Sequence, residues 1–256
     1  MLSRKHPPLF RHIETLHAER PWGSVLDAGT GVQSIRWLSD LRTQRWTAVS
    51  ASPAHAKMVG EAVRKQQRED DKIIIGNWVD PALLKEQVFD TVIADYLLGA
   101  VEGFSPCFQP YLFRRLRPLT GQRLYVKGLE PYVPTPRPED EAGQIVWELG
   151  RFRDACVLLG GDIPYREYPA RWVCDHLQFA GFKVVSAEHF PIRYKAKFVN
   201  AQIDLCLPGL ETVNDHKFVS ALKARGEALR ERALDYIQKE GALPFGRNYV
   251  IAAQAV

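Results

Sequence analysis

The residues best equipped for chemistry lie in Ser24-Val25-Leu26-Asp27-Ala28-Gly29-Thr30-Gly31-Val32-Gln33-Ser34. Val25 and Leu26 read as the end of a short buried strand, and Asp27 stands where that strand stops. Gly29 and Gly31 allow a tight turn at positive φ and a close backbone approach to a ligand. From Val32 onward, Val32, Ile35, Leu38 and Leu41 have helical spacing. Strand, glycine turn and helix make a nucleotide-sized pocket at the carboxyl end of a first strand. A dinucleotide fingerprint requires G-x-G-x-x-G with phosphates on the helix N-terminus; in that frame Ser34 takes the third glycine's place. The carboxylate, two residues ahead of the first glycine, suits a ligand with no phosphate and a cationic amino-acid part.

Further polar residues collect where later strands should end. Trp46–Ser50 reads as a second strand ending in Ser50, and Ser52-Pro53 starts a helix with Ser52 as N-cap. Lys72–Gly76 reads as a third strand of the buried parallel type, followed by Asn77 and Trp78. Phe89–Tyr96 reads as a fourth, ending in Asp95 and Tyr96, and Gln122–Leu129 as a fifth, with Glu130 at its end. Strands alternating with helices predict a parallel sheet wound on both faces.

Asp27-x-Gly29-x-Gly31 resembles the first motif of class I S-adenosylmethionine-dependent methyltransferases, D/E-x-G-x-G-x-G, with Gln33 at the last glycine. The resemblance runs from Trp22 to Glu130 and returns at 181–187, similar to the family's A-G-F turn and sixth strand. It implies a Rossmann-like, seven-stranded, mostly parallel sheet with helices on both faces and a C-terminal insertion. Residues 1–130 would form the cofactor-binding core. Residues 131–256 would complete the sheet in the same domain and add a substrate-cap insertion at about 189–246. The implied cofactor is S-adenosylmethionine, held by Asp27, Gly29, Gly31, Ser50, Asn77, Trp78 and Asp95, with Asp95, Tyr96 and Glu130 at the reacting site. Ser50 stands where the family commonly places an acid against the ribose hydroxyls; a hydroxyl accepts such a bond without charge assistance. Asn77 would bond the purine edge and Trp78 stack on its face, or Trp78 is a core aromatic and Asn77 a turn residue. Asp95 and Tyr96 have the alternative of a helix N-cap and a packing residue. The implied activity is methyl transfer to a small-molecule acceptor, nitrogen slightly favoured, with Asp95, Glu102 or Glu130 to orient an amine or take its proton. The alternatives are RNA methylation and a non-catalytic, methyltransferase-like partner protein.

Composition narrows the partners. Across 256 residues, 34 Lys and Arg face 30 Asp and Glu, a net charge of +4 spread along the chain, which argues against nucleic acid. Cys107, Cys156, Cys174 and Cys206 form no C-x-x-C pair, so reduced thiols in the cytoplasm are expected and no metal site is. The opening Met1-Leu2-Ser3-Arg4-Lys5-His6 has no apolar leader, and no run approaches the ~18 residues of a membrane span.

The remaining elements would position the site. Pro8–Glu19 predicts a helix with Leu9, Ile13 and Leu16 inward, either over the cofactor or packed on the sheet. Phe108–Arg117 predicts another, with Tyr111, Leu112 and Leu116 inward. A stiff connector with Pro131, Pro134, Pro136 and Pro138 leads to helices at 139–159 and 170–180. Phe190–Phe198 alternates with period two. Its Arg193, Lys195 and Lys197 either line an entrance for an acidic substrate or blunt a sheet edge. Asn214–Glu240 predicts a long amphipathic helix, a lid or a homodimer interface, before a last strand at 247–254.

Overall fold

The computed structural model describes residues 6–133, 135–206 and 208–256; the expected leaderless stretch Met1–Lys5, Pro134 of the connector and Leu207 lie outside the described residues. The chain folds into two compact units. One comprises the chain up to Leu129 with Arg166–His189 and Tyr249–Val256; the other comprises Glu130–Tyr165 and Phe190–Asn248. The expected insertion thus falls in the second unit, which also takes in the proline connector.

Seven strands form one mixed sheet: β1 (Ser24–Asp27), β2 (Arg45–Ser50), β3 (Lys72–Ile75), β4 (Phe89–Asp95), β5 (Thr120–Leu129), β6 (Phe182–Tyr194) and β7 (Leu243–Ala255), in the order β3-β2-β1-β4-β5-β7-β6. The β1–β2, β1–β4, β2–β3 and β4–β5 pairs are parallel. The order reverses beside β1, which opens the crevice outside the carboxyl ends of β1 and β4.

In the first unit, α1 (Pro8–His17), α2 (Val32–Asp40), α3 (Pro53–Val63), the single turn α4 (Leu97–Ala100) and α5 (Gln109–Leu116) alternate with β1 to β5. Alternation along the strands sorts the core into two layers. Leu26, Val92, Leu124 and Val126 pack with Leu112 and Leu116 of α5 and with Val173 and Leu177 of α7 (Ala170–Phe179). The opposite face meets α1 through aromatic stacking. Phe10 lies on Trp37 at 4.7 Å between centroids, and His17 lies on Trp22 at 3.7 Å with its Nδ1 3.0 Å from the Tyr125 hydroxyl. Such pairs add roughly 0.5–1.5 kcal/mol each beyond their burial. Phe10, Ile13 and His17 therefore form the buried face of α1, in place of the expected Leu9, Ile13 and Leu16. In α5 the inward set is Leu112, Phe113 and Leu116, while Tyr111 is exposed. β3 is an edge strand with Ile75 exposed, not the fully buried strand its apolar run predicts; an edge covers one flank only. Asp71, at the foot of β3, accepts from the Trp46 N–H on β2 and from Arg68, locking the β2–β3 corner.

The second unit is helical, with the ends of β6 and β7. α6 (Glu141–Leu159), α8 (Ala196–Asp204) and α9 (His216–Glu240) bury Ile145, Leu149, Phe152, Val199, Ile203, Leu229 and Ala233. Asp140 and Asp215 cap α6 and α9 by accepting backbone N–H bonds. The 190–198 alternation holds only to Tyr194. Lys195 then begins α8, whose Phe198 folds back to stack on Tyr194 at 3.9 Å. That ring contact satisfies in a helix the apolar face that the period-two pattern assigns to a strand. Phe218, expected on the inner face of α9, is exposed. Among the described residues no helix is long and apolar enough to cross a membrane.

Candidate functional site

Asp27 ends β1, Asp95 ends β4 and Lys127 lies near the end of β5. The parallel register pairs Asp27 with Ile93 and Asp95 with Lys127, so all three side chains leave one face of the sheet at neighbouring tips. It is the face that α1 covers.

Asp27 is the centre of this cluster. It is 1% exposed; Oδ2 accepts from the Ser34 hydroxyl at 2.8 Å, and Oδ1 has no hydrogen-bond partner among the described residues. Thr30, on the same turn, is 4% exposed; its hydroxyl leans toward Asp27 and has no well-formed hydrogen bond among the described residues. Burial first, then the Asp95 carboxylate, push Asp27 up to about 7, against the pull of the Ser34 and Thr30 hydroxyls. An isolated buried carboxylate is costly unless a cation or donors meet it.

The turn itself departs from expectation. Neither Gly29 nor Gly31 is at positive φ; Gly31 is extended, at φ −131°. The glycines serve space instead. A Cβ on Gly29 would stand 2.7 Å from Leu97 Cδ1, so this position admits α4, the turn after β4. A Cβ on Gly31 would meet only Ser34 Oγ among the described residues, at 3.9 Å, so the position itself is uncrowded. Ser34 accepts from the Gly31 N–H at 2.8 Å and so closes α2 while holding Asp27. Ala28 N–H reaches Ile93 and Thr30 N–H reaches Val49, pinning the turn between β4 and β2.

Trp78 is buried, and its indole N–H donates to the Ala28 carbonyl at 2.7 Å, supporting the turn from below. Of its two expected roles, this contact is the core one. Asn77 donates to the Phe104 carbonyl and accepts from Ser105 Oγ and the Val79 N–H, so both ends of its amide serve the loop. Ser50 turns its hydroxyl to the Ser52 backbone at 3.3 Å, beside the Gly76 N–H bond to its own carbonyl. The structure thus gathers Asp27, Gly29, Gly31, Ser50, Trp78 and Asp95 around the ends of β1, β2 and β4, with Asn77 in the adjoining loop. Glu130 opens the second unit, where its N–H donates to the Arg247 carbonyl.

Lys127, which the sequence does not single out, is 5% exposed and places Nζ 2.6 Å from Asp95 Oδ1. The same ammonium lies 3.9 Å from the Phe10 ring centroid and 4.7 Å from that of Tyr96. Burial raises Asp95 above the ordinary carboxylate range, and the Lys127 ammonium opposes the rise. Tyr96 takes a left-handed backbone, φ 49°, a strained choice for an aromatic residue that turns the chain from β4 into α4. Burial, then the carboxylates of Asp95 and Glu167, push its hydroxyl upward. Glu167 reaches this place because Gly99 has no side chain: a Cβ there would stand 2.7 Å from Glu167 Oε1. The only hints of these roles in sequence are a lysine inside an apolar strand and a serine three residues after Gly31.

Solved structures share this architecture. A putative methyltransferase from Bacillus halodurans superposes with a TM-score of 0.62 at 13% identity, covering 96% of this chain and 97% of that one. The chain has the class I methyltransferase fold. Coclaurine N-methyltransferase, solved with N-methylheliamine and SAH, superposes at 0.51 with 14% identity, covering 96% of this chain and 71% of that one. The [4+2]-cyclase SpnF does so at 0.54 with 14% identity, covering 96% and 80%. No protein-family model and no curated protein matches the chain.

Proposed function

We propose that this chain is an S-adenosylmethionine-dependent methyltransferase acting on a small-molecule acceptor, with nitrogen the favoured atom. The observation that carries the reading is Asp27: a buried carboxylate whose Oδ1 has no well-formed hydrogen bond among the described residues, with the Thr30 hydroxyl and the uncrowded Gly31 position on the same turn. A cationic amino-acid group supplies the charge and donors those atoms lack. S-adenosylmethionine, when bound, supplies an already activated methyl group. The chain's own work is to hold it at the tips of β1 and β4, keep water out and orient the acceptor. Asp27 and Thr30 would meet the amino-acid end, Gly31 admits it, and Trp78 holds the turn. Asp95 and Tyr96 would face the acceptor. An amine is favoured because the carboxylates of Asp95 and Glu167 lie beside Tyr96, with the Lys127 ammonium balancing Asp95, and a carboxylate at that place takes the amine's proton. That a solved protein of this fold is an N-methyltransferase agrees with this choice.

The insertion at about 189–246 would serve as an acceptor cap, the chain would work in the cytoplasm without membrane or nucleic-acid partners, and α9 would offer a surface for a homodimer. A non-catalytic or non-methylating role has one observation in its favour: Ser50 and Asn77 spend their polar atoms on the protein. Calorimetric titration of the intact chain with S-adenosylmethionine and its demethylated product tests the reading. Saturable binding that Asp27→Ala abolishes is expected; no heat at millimolar ligand refutes it. Binding without methylated product across amine, phenol and carboxylate acceptors would favour the non-methylating role.

A further inference from the structure

We propose that Lys127 is a positioning residue of the strand-tip site, fixing the Asp95 carboxylate and the Tyr96 ring in the arrangement that cofactor and acceptor meet. The β4–β5 register makes Lys127 the cross-strand neighbour of Asp95, and the Tyr96 N–H donates to the Lys127 carbonyl at 2.8 Å, so one residue holds the end of β4 by backbone and side chain. Its ammonium sits in a three-sided box: Asp95 Oδ1 at 2.6 Å, the Phe10 ring at 3.9 Å and the Tyr96 ring at 4.7 Å. Each wall belongs to a different part of the site, α1, the tip of β4 and the turn after it. A buried lysine is held only where such partners surround it, and two ring faces plus one carboxylate stabilise the ammonium from three directions. The box fixes Asp95 in turn. Among the described residues, Asp27 on β1, Tyr96 beside Asp95 and Glu167 beyond Tyr96 act on this cluster electrostatically. All three are acids, so Lys127 is the cation of the cluster.

The ligand arm of the test rests on the cofactor reading above, and a second arm does not. Lys127→Met removes the ammonium and keeps the chain length, Lys127→Arg keeps the charge, and Lys127→Met with Asp95→Asn removes both charges as a folding control. Binding of the demethylated cofactor is followed by calorimetry from pH 6 to pH 9, and the Asp95 side-chain carboxyl by 13C NMR, assigned with Asp95→Asn. Lys127→Met is expected to weaken binding about tenfold or more. Its affinity profile should move to higher pH, and Asp95 should titrate at least about one unit higher. Lys127→Arg should recover most of both. If Lys127→Met lowers the melting temperature but leaves the affinity profile and the Asp95 titration as in the parent, Lys127 is merely structural and the proposal falls. If the parent binds no cofactor while Asp95 still shifts in Lys127→Met, the cofactor reading fails and the positioning role stands. Should Lys127→Met not fold, the double variant is compared with Asp95→Asn alone: binding no weaker than in Asp95→Asn overturns the proposal, and weaker binding in a folded chain supports it.

Discussion

Replacing Asp27 with Asn should stabilise the unliganded chain far more at pH 8 than at pH 5. The carboxyl ionises near 3.8 in an open chain and near 7 in the fold, where burial and Asp95 oppose its charge. Between those values the folded state keeps a proton that the unfolded state has released, so this group makes stability fall as pH rises, up to about pH 7. At about 1.36 kcal/mol per unit, the whole penalty is about 4 kcal/mol, the larger part of it developing above pH 5. Roughly 3 kcal/mol therefore develops between pH 5 and pH 8. Asn still accepts the Ser34 bond and cannot titrate. Any packing cost of the substitution is the same at both pH values and cancels in the comparison. For a chain of this length 1 kcal/mol moves the melting temperature by about 2–4 °C. The melting-temperature gain of Asp27→Asn over the parent should then grow by about 6–12 °C from pH 5 to pH 8, read by circular dichroism without ligand. An equal gain at both pH values would show that Asp27 titrates alike in folded and unfolded chains, and the argument for a waiting buried carboxylate would be lost.

Gly29→Ala and Gly31→Ala should separate fold from binding. The first drives a methyl against Leu97 and should cost about 1–3 kcal/mol, partly relieved by Leu97→Ala in the same chain, while the second should melt with the parent yet lose cofactor affinity. Trp78→Phe leaves the buried Ala28 carbonyl without its indole donor and should cost about 1–3 kcal/mol in urea unfolding. Asp71 behaves opposite to Asp27. Bonds from Arg68 and the Trp46 N–H outweigh its burial and hold it below the ordinary carboxylate range, so its stabilisation is present above pH 4 and lost on acidification. Asp71→Asn should accordingly destabilise at pH 7 by about 1–3 kcal/mol, and that cost should shrink progressively as pH falls below about 4, as measured by denaturant titration.

Local signals in the chain were enough for most elements. Strand β1 and the start of α3 at Ser52-Pro53 each depend on a few consecutive residues, whose backbone preferences act without regard to the rest of the molecule. The alternation of strands and helices likewise sufficed for the parallel pairing of β1 to β5, and strand ends for the places of Asp27 and Asp95 at the tips of β1 and β4. What only the tertiary structure decided is which side chains meet. Ile75 is exposed because β3 has a neighbour on one side only, a fact of sheet order. Residues 196–204 coil into α8 because Phe198 finds Tyr194. Lys127 reads as an ordinary lysine until the β4–β5 register sets it against Asp95 and α1 brings Phe10 over it. Register and helix placement are settled by burial summed over distant segments, so the charge state of the site belongs to the folded molecule and not to any motif within it.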